Sequence, residues 1–408
     1  MRSSLPKYGL AGFALTLISA QAAAIELDAG DWSFTVNGNV NVHYIHSSCE
    51  SSPANIITVG GACTVDSGGE SSASSVSNGL LPAALSFGIA TQQSGYNIAA
   101  HFGLYPGIST NDGGSPNLQS GSSNTALGTT GMDVRQVYMT VGNADIGTFT
   151  LGRNFGLFGF DAIINDMTLP GVGVSGAAGS GAPANTTLGS IGFGYVYTDT
   201  LAQMNYTTPS FSGLTLTLGV FDPVEPLFQA SATAKSTPGF HGKLAWTYAG
   251  YYLSSAFISQ KQQLPSNGGD YNSFAADVTA KAKLGAVDLL ASYYKGSGLG
   301  TTALFVLADD GLGNARDSDG YLLQATCTLG KTKLGANYGV SKLDYANATD
   351  KATRPNLLEK NSKYTFGVYH ALTANLTLLS EFSGVKTEAH NGAENQSSNF
   401  NVGAYLSF

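Results

Sequence analysis

A transmembrane antiparallel β-barrel of sixteen strands is the all-β fold class that this sequence predicts, on three observations. Only 11% of the 408 residues are charged, where a soluble domain carries about 25%. Mean hydropathy is nevertheless near zero, at +0.03, and past the N-terminus no apolar run approaches the ~20 residues of a membrane helix. Polar and apolar residues also alternate with a period of two over long segments. These observations exclude a helical membrane protein and disfavour a cytosolic globule. A hydrophobic content of 43%, with 10% aromatic, argues against a disordered chain. A barrel that alternates lipid-facing apolar with lumen-facing polar side chains meets all three.

Residues 1–24 read as an export signal. Arg2 and Lys7 form its positive end, Tyr8 to Ile18 its apolar stretch, and Ala20-Gln21-Ala22 a small-residue cleavage site. Cleavage after 22 or 24 leaves 25–408 as one barrel domain. Losing two positive charges takes the net charge from −8 to −10, which makes the chain a poor nucleic-acid binder.

The first strand is the clearest. Trp32, Phe34, Val36, Val40, Val42 and Tyr44 occupy one parity, and Ser33, Thr35, Asn37, Asn39, Asn41 and His43 the other. The pattern recurs in hairpins 80–92 with 96–105, 132–142 with 147–155, 195–207 with 214–221, and 239–248 with 251–260. Further pairs are 271–283 with 286–294, 319–329 with 332–343, and 363–371 with 375–386. Strand 399–408 closes against the first. Sixteen is the resulting count, with eighteen as the alternative. Tight turns alternate with long polar connections, as periplasmic turns and extracellular loops do. Tyr and Phe gather near strand ends, where interfacial girdles belong. An alternating last strand ending on Phe408 looks like the signal read by outer-membrane barrel-assembly machinery.

Three cysteines are present. An exported protein favours pairing of Cys49 with Cys63 across a short loop, while Cys327 lies on the apolar parity of its strand. The histidines lack metal-site spacing, no cofactor motif occurs, and neither G-x-S-x-G nor H-E-x-x-H is found, so an enzyme is disfavoured. Residues 156–190 stand apart from the other connections. They are long, poor in charge and rich in Gly, Ala and apolar residues, as in Leu169-Pro170-Gly171-Val172-Gly173-Val174. A segment of this composition is expected to pack against the inner wall, with Asp161 and Asp166 near a narrowed passage.

Val134-Arg135-Gln136, Ala144-Asp145-Ile146-Gly147-Thr148-Phe149, Leu151-Gly152-Arg153-Asn154-Phe155-Gly156 and Phe160-Asp161-Ala162, with Leu169-Pro170 beyond, resemble the general trimeric porins of Gram-negative outer membranes. The resemblance implies that loop 3 folds into the lumen. Arg135 and Arg153 would form the basic side of its constriction, and Asp161 and Asp166 the acidic side. Either arginine must point inward or sit near an interface, because a lipid-facing charge costs about 2–4 kcal/mol at the midplane. Asn41, His43 and His101 are further pore-lining candidates from the polar parity. Gly171 stands where the family often has Glu, and the first strand offers Asn and His rather than Lys or Arg, so a less charged constriction is expected.

The implied function is passive diffusion of ions and small hydrophilic solutes by a homotrimer, in contact with outer-membrane lipid and lipopolysaccharide. A substrate-specific channel for a sugar or organic acid is the alternative. It would call for an aromatic slide or basic ladder, and the lumen parity reads mainly as Asn, Ser, Thr and Gly. Loops 47–77 and 106–131 would carry any role as a receptor or adhesin.

Overall fold

The computed structural model describes residues 24–50, 53–63, 72–108, 132–175, 185–225, 232–233, 236–263 and 269–408. The export signal expected at 1–24 falls, but for its last residue, outside them, as does most of 106–131. The first strands are β1 (Ile25–Ala29), β2 (Trp32–Cys49), β3 (Ser72–Ser77), β4 (Ala84–Gln93), β5 (Tyr96–Pro106), β6 (Met132–Asn143) and β7 (Gly147–Phe155). A short helix α1 (Phe160–Ile164) precedes β8 (Thr200–Thr207), β9 (Leu214–Phe221), β10 (Ala232–Thr233), β11 (Gly239–Tyr248), β12 (Tyr251–Gln263) and β13 (Asp270–Leu284). Then come β14 (Val287–Ser297), β15 (Asp317–Leu329), β16 (Thr332–Leu343), helix α2 (Ala348–Thr353), β17 (Leu358–Ala371), β18 (Leu376–Ala389) and β19 (Glu394–Ser407).

Antiparallel pairing runs without a break round the wall. β19 closes on β2 from Ser397↔Cys49 to Ser407↔Asn39, and β9 pairs with β11 across the 222–238 connection. β3 and β4 share one wall position, the former beside His43–Ser48 and the latter beside Trp32–Asn39. The barrel therefore has sixteen wall positions. β1 folds back on β2 and β10 lies on β12 as two short additions.

The alternation explains the wall. Val40, Val42, Tyr44, Phe87, Phe102 and Met139 are exposed on one parity, while Asn39, Asn41 and His43 are buried on the other. In water such an apolar outer band would be an aggregation surface; in a bilayer it faces hydrocarbon. Tight hairpins join the strands at one rim. Ser94-Gly95 and Ala249-Gly250 take positive φ at both residues (50° and 83°, 45° and 88°). That is the turn geometry that matches strand twist.

β2, β17, β18 and β19 run beyond their expected ends at the long-loop rim, while two expected strands lose their first residues to the interior. The second strand does not begin at residue 80: residues 78–83 leave the ladder, and Leu80 and Leu81 donate backbone hydrogen bonds to Gly171 and Leu169 (2.7 and 3.0 Å). Nor does 195–207 form one strand, since pairing begins at Thr200. Tyr195, Val196 and Tyr197 are instead buried in clusters on the inner side of the wall. One such cluster joins Phe158, Val196, Leu299, Leu304 and Phe305 to the wall residues Leu201, Phe221, Ile258 and Tyr294. Cys49 and Cys63 form a disulfide, with Cα atoms 5.7 Å apart. Cys327 is free.

Candidate functional site

Residues 156–175 and 185–199, between β7 and β8, form the candidate site. Their sequence accounts for their local shape. Gly159, at φ 75°, turns the chain into α1, and its amide donates to Asp277 on β13 (2.6 Å). Gly-rich backbone beyond the helix leaves many amides and carbonyls that require partners. They find them on the buried parity of the wall. Gln324 on β15 accepts from the Met167 amide (2.7 Å) and donates to the Asn165 carbonyl (2.9 Å). Ser341 on β16 accepts from the Gly194 amide (3.0 Å). On β17, Lys363 donates to the Gly189 carbonyl (2.8 Å) and Asn361 to that of Gly192 (3.2 Å).

Glu381 on β18 is the central anchor. One carboxylate oxygen accepts from the amides of Val172 and Gly173 (2.8 and 2.9 Å), and the other from the Tyr369 hydroxyl (2.6 Å). A Cβ on Gly171 would collide with this carboxylate. The residue that the resemblance marked as a missing Glu is thus Gly because an acid from the facing wall occupies the space. Charge-assisted bonds of this kind are roughly twice as strong as neutral ones.

The two loop acids are both engaged. Asp161 pairs with Lys243 on β11 (3.2 Å) and accepts from the Tyr252 hydroxyl on β12 (2.8 Å). Asp166, 3% exposed, accepts from the Tyr195 hydroxyl (2.9 Å) and Asn337 (3.2 Å). Asp161 thus has its charge paired with a wall lysine, and Asn337 holds Asp166 against β16.

The two arginines separate. Arg135, 5% exposed, is the extra residue of a β-bulge opposite Gly103 and Leu104. The bulge lets Arg135 and Gln136 both turn to the buried side. Its Nε donates to Asp133 (3.0 Å), and its guanidinium carbon lies 5.1 Å from the centre of the Tyr105 ring. Asn185 donates to the same Asp133 (3.1 Å), which fixes the returning limb of the segment to β6. Arg153, like Arg135, acts electrostatically on the Asp199 carboxyl. It stands opposite Val137 and Ala202 in the ladder, and both are exposed on the outer face. Cross-strand partners share a face, so Arg153 starts on the outer side. Its place two residues from the long-loop end of β7 is where such a charge costs little.

The further pore-lining candidates also divide. His101 faces inward and stacks on Tyr138, with ring centres 5.1 Å apart. Asn41 and His43 face inward but are covered. Asn41 donates to the Leu81 carbonyl and accepts from the Gly79 amide (2.9 and 2.8 Å), and His43 is fully buried. Among the described residues, no group of three or more His, Cys, Asp or Glu is placed to hold a metal ion.

A sequence profile of Gram-negative porins matches residues 11–390. The chain belongs to that porin family, and its place is the outer membrane. Known structures have the same architecture at low identity. Over 93% of this porin and 99% of the other chain, DcaP, an outer membrane channel of Acinetobacter baumannii, is 14% identical with a TM-score of 0.68. OmpF of Salmonella typhi, in complex with daunomycin, is 12% identical with a TM-score of 0.58, over 94% and 100% of the two chains. OmpT of Vibrio cholerae in its trimer form is 13% identical with a TM-score of 0.57, over 93% and 100%. No curated protein matches the sequence.

The sequence reading of this porin missed the wall charges. Lys243, Asp277, Lys281, Lys333, Lys363 and Glu381 lie on the inward parity: Lys243 and Tyr252 meet Asp161, and Lys333 and Tyr369 are direct ladder partners. The lumen parity is therefore more charged than its Asn, Ser and Thr content implied. Counting parity outward from Val278, Leu334 and Phe366 in each strand would have found them. The same count from Phe149 and Leu151 would have turned Arg153 outward.

Proposed function

We propose that this porin is a passive diffusion channel for ions and small hydrophilic solutes, narrowed by residues 156–175 and 185–199, which lie across its lumen. One observation carries the reading: the segment's backbone is tied to buried-parity side chains from β13 round to β18, and the Asn185 side chain reaches back to Asp133 on β6. A solute crossing such a channel exchanges part of its hydration for Asn, Gln, Ser and Thr side chains and needs no energy source. Charged groups in a low-dielectric wall focus their field on the passage, which favours polar over apolar solutes. Nothing in this reading requires a catalytic step or a cofactor.

In the same reading, residues 1–24 direct export and the strand ending at Phe408 engages the assembly machinery. The protein is a homotrimer, touching through its first and last strands. The Vibrio cholerae neighbour is described in a trimer form, which supports this extension. Native-gel mobility before and after heating reads the oligomer.

A solute-specific channel is the second reading, and one observation favours it. Residues 298–316 also pack on the inner side, where Thr302 accepts from the Tyr197 amide (2.9 Å), leaving less room than a single inward segment would. Liposome swelling with sugars and organic acids of graded size separates the two. Permeation that falls smoothly with size supports general diffusion. Rapid entry of one solute class, with saturable block by it, would overturn that reading in favour of the second.

A further inference from the structure

The long connection after β2 does not stand clear of the barrel in its described residues 53–63. The Cys49–Cys63 disulfide ties their far end back to the end of β2, and between the two cysteines they lie against buried-parity side chains of the wall. Asn395 on β19 accepts from the Ala54 amide and donates to the Ala54 carbonyl (2.6 and 2.9 Å). The Ile57 amide donates to the Asn356 carbonyl, and the Ile57 carbonyl accepts from the Leu358 amide (2.9 and 3.0 Å). Thr387 on β18, fully buried, accepts from the Ala62 amide and donates to Asn361 (both 2.8 Å), which itself holds the Gly192 carbonyl. Thr387 lies six residues beyond Glu381 on β18, about 20 Å along the strand towards the long-loop rim. Three connections meet at Thr302, which is buried. Its hydroxyl donates to the Val59 carbonyl (2.7 Å), and its carbonyl accepts from the Tyr197 amide (2.9 Å). Gly60, at φ 72°, abuts the Leu188 side chain, and Ala62 joins Val174 and Phe193 in one apolar cluster.

We propose that residues 53–63 are an outer filter of the channel, positioned by the Cys49–Cys63 disulfide, and that this filter sets the largest solute admitted. The proposal rests on the diffusion reading above and adds a second narrowing to it. The segment is anchored nearer the long-loop rim than the Glu381 contact is, so a solute entering from that side meets it first. Its bonds reach β18, β19, the 344–357 connection and Thr302, so it crosses part of the mouth instead of following one strand. Gly60 and Ala62 rest directly on the inner segment, which couples the two narrowings. The hydrogen bonds hold the segment at separate points, whereas the disulfide limits the whole stretch between its ends to few arrangements. Opening the bridge therefore loosens the filter while Glu381 and Lys363 keep the inner segment in place.

Liposome swelling with the reconstituted full-length protein, using neutral sugars from mono- to trisaccharide, tests the filter in both redox states. A dithiol opens the bridge to two thiols and is itself oxidised to a cyclic disulfide; alkylation followed by mass measurement counts the thiols released. Reduction is expected to raise trisaccharide entry severalfold relative to monosaccharide, and reoxidation to restore the first ratio. Cys49→Ser with Cys63→Ser should show the raised ratio from the outset and ignore the dithiol, although Cys327 remains. The same pair supplies the test if the bridge resists reduction. Thr302→Val, which removes the donor to Val59, should raise the ratio further in the reduced protein. Unchanged heat-modifiable gel mobility separates these effects from unfolding of the barrel. An equal ratio in the oxidised, reduced and serine forms would overturn the proposal. Selective entry of one solute class would count against the diffusion reading alone, because the redox comparison then runs on size-graded members of that class.

Discussion

Gly171 shows how one residue is fixed by the wall it faces. Its Cα abuts the Glu381 carboxylate, which also holds the next two amides. Gly171→Ala forces apart a close-packed contact and is expected to destabilise the protein by about 1–3 kcal/mol. The midpoint of urea unfolding in detergent reads this directly, and an unchanged midpoint would show that the Glu381 contact carries no weight. At this scale the sequence was only partly legible. The inward parity of Glu381 and Lys363 can be counted along their strands, but their partners are backbone groups of a segment about 200 residues away. No periodicity encodes such a pairing. The outward side of Arg153 was legible, because Phe149 and Leu151 share its parity.

Elements differ in how much of their form is local. Strands such as β2 were readable because each side chain meets either lipid or the barrel interior, and the alternation records that choice. The stretches 78–83 and 195–199 were not, because their Leu, Tyr and Val residues are buried against other connecting segments rather than paired in the wall. The long-loop rim has its own lock. Arg316, ahead of β15, makes a two-point contact with Asp350 of α2 (2.7 and 2.8 Å), and Arg354 adds a third bond (3.0 Å). Burial pushes the Asp350 carboxyl up, but the bonds from Arg316, the Ala346 amide and Arg354 outweigh it and hold the pKa at about 2. A depressed folded-state pKa contributes stability above the unfolded value near 4, and that contribution is lost as pH falls through about 2. Hydrogen exchange of the 344–357 amides should therefore accelerate between those limits. Asp350→Asn should exchange faster at neutral pH and lack the acid step; a variant that retained the step would assign it to another group.

At the scale of the whole molecule, charge is divided between the faces of the wall. The chain is acidic overall, yet Lys281 and Lys333 are carried on the inward parity, and Asp161 is taken up by Lys243. Selectivity should follow the lumen rather than the net charge. Lys281→Glu with Lys333→Glu is expected to shift the reversal potential in a salt gradient towards cation preference. Identical potentials for variant and wild type would place these lysines outside the conducting path.

The central claim, a water-filled pore narrowed by an anchored inner segment, meets its most direct test in single-channel conductance in planar bilayers. The wild type should give ohmic steps that scale with bulk conductivity. Releasing the segment with Glu381→Ala and Lys363→Ala should give larger, noisier steps. A wild type without steps, or a released variant with unchanged conductance, would contradict the account.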